Sequence, residues 1–200
     1  MRAARLRGGA FARSKQASNK EDSMRKVMIA TTAVLALAGC NTVHHAETGA
    51  PIAQGGHAVA MLRTADGAEL GRATATEVTG GLRVTLDLHG LPPGTHGAHI
   101  HTVGRCDAPD FASAGGHWNP LGAKHGSMNP QGPHEGDMPN LIVGANGRGT
   151  IGAVLPGATM AGLLDADGAA IVIHDKADDL MTDPSGNSGA RIACGVFAAS

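Results

Sequence analysis

The sequence predicts an all-β fold, a Greek-key β-sandwich or flattened eight-stranded barrel with two long functional loops. Its 200 residues include 30 glycines, no tyrosine and only 2% aromatic residues, so the core must be built from aliphatic side chains. This composition favours short strands and turns over large helices. In residues 82–88, Leu and Val alternate with polar residues, as on a strand with one buried face.

Turn signals divide the chain into short segments that favour strands. Asp66-Gly67 and Asn146-Gly147 are typical of tight hairpins, and apolar segments flank each pair. No helix is predicted. Two irregular stretches remain, 103–140 and 175–189, and loops of this length in a compact domain usually carry function. The seven or eight predicted strands are His57–Arg63, Glu69–Val78, 82–88, 97–102, Leu141–Val143, 150–155, 169–174 and 190–197.

The N-terminal region resembles an export signal. A charged start at residues 24–26 precedes the apolar run 27–39, which is too short to span a bilayer. The run ends in Leu-Ala-Gly-Cys40, which resembles a bacterial lipobox whose cysteine becomes lipidated. The alternative is an ordinary signal peptide that contains a cysteine. Residues 1–23 are then either an extended leader or the result of a start codon assigned too early.

These signals divide the chain into three parts. We expect residues 1–39 to form a leader and lipoprotein signal peptide. Residues 40–55 should form a lipidated Cys40 and a flexible tether, because they are small, polar and interrupted by Gly and Pro. We expect residues 56–200 to form one folded domain.

The charge of the mature chain argues against a nucleic-acid partner. Residues 1–39 hold 8 of the 16 Lys and Arg but only 2 of the 17 acidic residues. From Cys40 onward, 8 basic residues therefore face 15 acidic ones, a net charge of −7 with His neutral. An acidic protein of this kind does not suit a phosphate backbone. A basic arm at residues 1–23 is the weaker alternative.

Two cysteines remain if Cys40 carries lipid. Cys106 and Cys194 would then be an even pair in an oxidising compartment, which favours a disulfide. Two unrelated buried thiols are the alternative.

Six histidines and one carboxylate predict a metal centre. On a strand, His99 and His101 project from the same face, and His174 closes another alternating strand. A Gly- and Pro-rich loop adds four further donors. Together these groups exceed what one tetrahedral ion can use, so we expect two metals, a redox-active copper beside a structural zinc. The loop donors are His117, His125, His134 and Asp137.

In chain order, the segments GAHIH, GGHWNP, KHG, HEGD, HDKADD and GARIACG closely resemble the motifs of Cu/Zn superoxide dismutase across residues 56–198. The resemblance implies one copper and one zinc ion per subunit. His117 would be the shared ligand, an imidazolate between both ions. The implied copper ligands are His99, His101, His117 and His174, and the implied zinc ligands are His117, His125, His134 and Asp137.

The resemblance also implies roles around the metals. Asp178 would be the outer carboxylate that links His99 to His125. Arg191 would guide the superoxide anion to copper. His117 and Arg191 would therefore be the catalytic residues in a copper redox cycle that converts superoxide to dioxygen and hydrogen peroxide. Lys124 or Lys176 would add local attraction, and the sequence does not distinguish them.

Other functions compete with this one. A non-catalytic protein on the same scaffold could store copper and zinc, and a zinc hydrolase is a more distant alternative. The short segment 180–189 and the position of Cys106 indicate the bacterial branch of the family. We therefore expect a periplasmic protein anchored to a membrane by lipid at Cys40, either a monomer or a homodimer.

Overall fold

A computed structural model describes residues 56–200. The predicted leader, the lipidation site Cys40 and the tether to residue 55 lie outside the described residues. Within 56–200 the chain forms ten short strands: β1 His57–Arg63, β2 Glu69–Val78, β3 Gly81–Leu88, β4 Gly94–His96, β5 Ala98–His101, β6 Leu141–Val143, β7 Gly149–Pro156, β8 Ala170–His174, β9 Arg191–Val196 and β10 Ala198–Ala199.

One curled sheet of eight strands dominates the described domain. Its order is β5-β8-β9-β1-β2-β3-β7, with β10 also paired to β1, and every pairing is antiparallel. A second sheet joins β4 to β6. Because β3 pairs with β7 and β5 with β8, the chain leaves the sheet and returns to it, as in a Greek key. The predicted all-β fold is confirmed.

Aliphatic side chains fill the buried face of the sheet. Leu82, Val84, Leu86 and Leu88 of β3 are fully or almost fully buried, while the polar residues between them are exposed. Each such leucine contributes roughly 1.5–3 kcal/mol relative to an exposed side chain. Burial of one face fixes the register, since a slip of one residue would turn the polar side chains inward.

Two details differ from the sequence prediction. The strand predicted at 97–102 is present as β5, Ala98–His101, but the sequence did not predict β4, Gly94–His96, which pairs with β6 whereas β5 pairs with β8. The prediction of no helix was wrong for one α-helical turn, Met160–Leu163, and one 3-10 turn, Ala112–Ala114. The hydroxyl of Thr159 caps the first by accepting from Gly162 N at 3.1 Å. Neither turn could cross a membrane, nor could any other described helix.

The first long loop, residues 103–140, covers the free edge of β5. Trp118 N donates to Ile100 O at 2.8 Å, and Ile100 N donates to Gly136 O at 2.9 Å. Isolated bridges also pair His99 with Asp137 and His101 with His117. Backbone pairing thus brings two distant parts of the loop to the strand that carries His99 and His101.

The predicted disulfide is confirmed between Cys106 and Cys194, whose Cα atoms lie 5.7 Å apart. The cysteines are 88 residues apart in sequence, so closing this span stabilises the fold by about 4–5 kcal/mol in the chain-entropy model. The bridge packs against Phe111 and Val172 in a small apolar cluster. It holds the first loop against β9, which begins at Arg191.

Candidate metal centre

Strand geometry places three histidines on neighbouring strands. His99 and His101 share one face of β5, whereas Ile100 between them is fully buried in the core. His174 ends β8, next to a register shift that pairs it with Arg191 of β9. Bulges of this kind re-aim side chains and are common beside active sites.

Four histidines form the first cluster. Each of His99, His101, His117 and His174 offers a ring nitrogen, and these four atoms lie within 4.8 Å of one another. Among residues 56–200, His99 Nδ1 and the Nε2 atoms of the other three are buried without a hydrogen-bond partner. An unsatisfied buried polar atom costs about 1–3 kcal/mol, so four converging nitrogens are an unfavourable arrangement unless an ion occupies their centre. Four imidazoles suit copper or zinc.

The opposite nitrogens of these rings are held by acceptors. His101 Nδ1 lies 2.9 Å from Gly115 O, and His174 Nδ1 lies 3.2 Å from Gly189 O. His99 Nε2 lies 2.7 Å from an Asp178 carboxylate oxygen. Acceptors on one nitrogen place the N–H there and leave the other nitrogen's lone pair free for a metal.

The second cluster surrounds Asp137. Asp137 Oδ1 lies 2.9 Å from His117 Nδ1, 3.1 Å from His125 Nδ1 and 3.3 Å from His134 Nδ1. The Nδ1 atoms of His117 and His134 are 3.4 Å apart. Ligands about 2.0 Å from a tetrahedral zinc ion are separated by about 3.3 Å, so these atoms fit one zinc ion. His99 also lies near this set, but its Nε2 is already bonded to Asp178, and His134 Nδ1 is the third ring nitrogen that faces Asp137.

His117 belongs to both clusters. Its Nδ1 faces Asp137, while its Nε2 is the unpartnered atom of the first cluster. The rings of His99 and His117 stack with centroids 3.9 Å apart. One imidazole therefore directs its two nitrogens into two adjacent groups of potential ligands.

Asp178 lies behind both clusters. Its two carboxylate oxygens accept from His99 Nε2 at 2.7 Å and from His125 Nε2 at 2.9 Å. The Asn140 amide donates to Asp178 O and accepts from Asp178 N, both at 2.8 Å. Sequence analysis missed Asn140, because an asparagine after a proline carries no metal-ligand pattern.

Burial sets the protonation state of the first cluster. It lowers the pKa of His99 and of His174 to about 4, and that of His101 to about 2. These rings are therefore neutral at neutral pH, as metal ligands must be.

Carboxylates set the charge of the second cluster. Although burial opposes it, hydrogen bonds from His117 and His125 lower the pKa of Asp137. Burial also opposes the rise at His125, where the carboxylates of Asp137 and Asp178 raise the pKa to about 9. Zinc must therefore displace a proton from His125 when it binds.

A cavity of about 410 Å³ gives access to the first cluster, and its walls include His101, His174 and Arg191. Arg191 is half-buried, and its guanidinium donates to Phe111 O and to Gly115 O, both at 2.6 Å. These bonds fix a cation in the wall of the cavity. An anion in the cavity would meet this charge beside the ring nitrogens.

The residues of the two clusters lie in a part of the chain that is similar to known proteins. Residues 70–197 match the family model described as "Copper/zinc superoxide dismutase (SODC)". The chain belongs to the copper/zinc superoxide dismutase family. The matched range contains all six clustered histidines, Asp137, Asp178 and Arg191.

Bacterial relatives support this membership. "Superoxide dismutase [Cu-Zn]" of Caulobacter vibrioides is 42% identical over 147 residues, covering 70% of this chain and 84% of the relative. A copper/zinc superoxide dismutase of Aquifex aeolicus is 43% identical over 144 residues, covering 69% of this chain and 84% of the relative.

Solved structures of the family share the fold. A superoxide dismutase-like protein from Bacillus subtilis has a TM-score of 0.66 at 41% identity, covering 70% of this chain and 97% of that structure. The Cu/Zn superoxide dismutase from Brucella abortus has a TM-score of 0.59 at 28% identity, covering 71% of this chain and 99% of that structure.

Proposed function

We propose that this member of the family dismutates superoxide at a copper ion held by His99, His101, His117 and His174. Zinc is held by His117, His125, His134 and Asp137 and is structural. The observation that carries the proposal is His117, whose two ring nitrogens face the two clusters. A protein that needed only one ion would not require one ring to serve both groups.

Bound copper supplies a one-electron couple, so that two superoxide ions and two protons become one dioxygen and one hydrogen peroxide. The protein's own groups do the rest. Arg191 binds and orients the anion in the cavity. When His117 Nε2 is not binding copper, it would carry one of the two protons, because this nitrogen has no hydrogen-bond partner among the described residues. Asp178 fixes His99 and His125 in the orientation that the ions need.

The two candidate lysines have different surroundings. Lys124 Nζ forms an ion pair with Asp183 at 3.0 Å, which neutralises much of its attraction for an anion. The Lys176 side chain lies near Gly189 in the cavity wall, but the Asp175 carboxylate lies closer to that glycine and offsets the charge of the lysine. We therefore assign the attraction of the anion to Arg191 rather than to either lysine.

A metal store on the same scaffold is the competing function. Membership of the family does not exclude it, since one relative is described only as "superoxide dismutase-like". The cavity and Arg191 favour catalysis, because storage needs no cation beside an opening to solvent.

The deciding experiment compares the protein loaded with copper and zinc with the protein loaded with zinc alone. We expect only the first to remove superoxide catalytically in stopped-flow measurements, with one copper and one zinc bound per chain. Full occupancy of both sites without turnover would establish storage instead.

We further propose that the protein is exported to the periplasm and anchored by lipid at Cys40. The support is the lipobox-like Leu-Ala-Gly-Cys40 and the disulfide, which requires an oxidising compartment. In the native host, Cys40→Ser is expected to move the protein from the membrane fraction to the soluble fraction. The control Thr48→Ala, in the tether after Cys40, should remain at the membrane. Membrane retention of the Cys40 variant would disprove the anchor.

A further inference from the structure

The second long loop, residues 175–189, is fastened to the second cluster by one carboxylate that has no role in the function described above. Asp183 Oδ1 accepts from His125 N at 2.9 Å, and Asp183 Oδ2 accepts from Lys124 Nζ at 3.0 Å. Asp183 Oδ1 also lies 3.7 Å from His134 Nε2. One side chain thus reaches the backbone of one potential zinc ligand and the outer ring nitrogen of another.

The orientation of His134 explains why its contact with Asp183 matters. Its Nδ1 faces the second cluster, 3.3 Å from Asp137 Oδ1, so its Nε2 must point away from the ion site. At 3.7 Å the contact is longer than a hydrogen bond, so Asp183 acts on Nε2 through its charge, which favours the tautomer with the proton on that nitrogen and leaves Nδ1 free to bind a metal. His125 already has such a partner in Asp178, and His117 faces the other cluster. Within residues 56–200, Asp183 is the one carboxylate near His134 Nε2.

We propose that Asp183 is a positioning residue for zinc, which orients His134 and holds the His125 backbone against the second loop. The inference rests on the proposed zinc site. It also connects this site to the active cavity, because Pro184 and Ser185, which follow Asp183 directly, line the cavity with Arg191. Zinc occupancy therefore stabilises the wall through which superoxide enters.

The test measures zinc affinity by competition with a chromophoric chelator, on the full chain with copper already bound. Loss of an outer carboxylate typically weakens metal binding 10- to 100-fold. We expect Asp183→Ala to weaken zinc binding about 100-fold. Asp183→Asn, which keeps an acceptor for His125 N but loses the charge, should weaken zinc about 10-fold. Copper affinity should remain within about twofold in both variants.

Two control variants test whether the effect on zinc affinity is specific to Asp183. Lys124→Met removes only an exposed ion pair, so zinc affinity should fall less than about sixfold. Asp66→Ala removes an exposed carboxylate from the β1–β2 turn and should change nothing.

Cobalt(II) in the zinc site adds a spectroscopic readout. We expect the visible bands of tetrahedral cobalt in the unmodified protein, and altered bands in Asp183→Ala at saturation because His134 is reoriented. Unchanged zinc affinity or unchanged bands in Asp183→Asn and Asp183→Ala would overturn the inference. Should Asp183→Ala not fold, Asp183→Asn alone decides by the same criteria. An unmodified protein that binds no zinc would instead refute the proposed function.

Discussion

Arg191→Ala is expected to lower the second-order rate constant for superoxide about 10- to 100-fold without changing copper content. Steering by a local charge raises association rates about 10- to 1,000-fold, and enzymes of this family are a standard example of it. Residues 40–200 of this chain carry a net charge of −7 with His neutral, so attraction must come from charges in the cavity rather than from the whole surface. Arg191 is the cation fixed there by two carbonyl groups.

Ionic strength and a conservative variant distinguish this role from a structural one. The rate of the unmodified protein should fall as salt is added, whereas the rate of Arg191→Ala should depend less on salt. Arg191→Lys keeps the charge but cannot donate to Phe111 O and Gly115 O in the same geometry, so an intermediate rate is expected. Equal rates for the unmodified protein and Arg191→Ala, at equal copper content, would refute the assigned role.

Acid should destabilise the metal-free protein strongly between pH 6.5 and pH 4. The pKa of His99 and of His174 is lowered from 6.5 to about 4 by burial. In this pH range the unfolded chain binds protons that the folded chain does not bind, so the free energy of unfolding falls as the pH falls. At pH 5 each of these histidines costs roughly 2 kcal/mol, and His101, whose pKa is about 2, adds a similar amount.

The other shifted groups do not cancel this effect. The raised pKa of His125 gives stability that is fully present below pH 6.5, and the lowered pKa values of Asp137 and Asp178 give stability that persists above pH 3.8. Urea unfolding of chelator-treated protein at pH 7 and pH 5 measures the difference. His101→Gln should reduce this pH dependence, whereas the exposed control His89→Gln should not. Equal stability at both pH values would contradict the burial of neutral histidines.

The sequence was sufficient for the strands that have one buried face. β3 follows the alternation of Leu and Val closely, because a half-buried strand repeats every two residues. The sequence did not predict the change of strand partner at Gly97, where β4 pairs with β6 and β5 pairs with β8, because residue periodicity does not encode which strands pair. The turn Met160–Leu163 is too short to show a helical period.

The ligand groups were easier to predict than the residues that orient them. Six histidines and Asp137 stand in short motifs, and the structure brings all of them together in two clusters. Asn140 and Asp183 were missed because each acts through one amide or carboxylate that only the folded loops bring near the clusters. The Thr-Asp-Pro segment that contains Asp183 is typical of an ordinary turn. The hydrogen-bond partners of Asp183 lie 58 and 59 residues away in sequence.

The pairing of the first loop with β5 has a consequence for assembly of the protein in the cell. An uncovered edge strand offers free N–H and C=O groups to the same strand of another molecule. If loss of both ions releases the segments around Trp118 and Gly136, the Ala-His-Ile-His strand becomes such an edge. Metal supply would then govern solubility as well as turnover, and newly made chains starved of copper and zinc should aggregate through this strand.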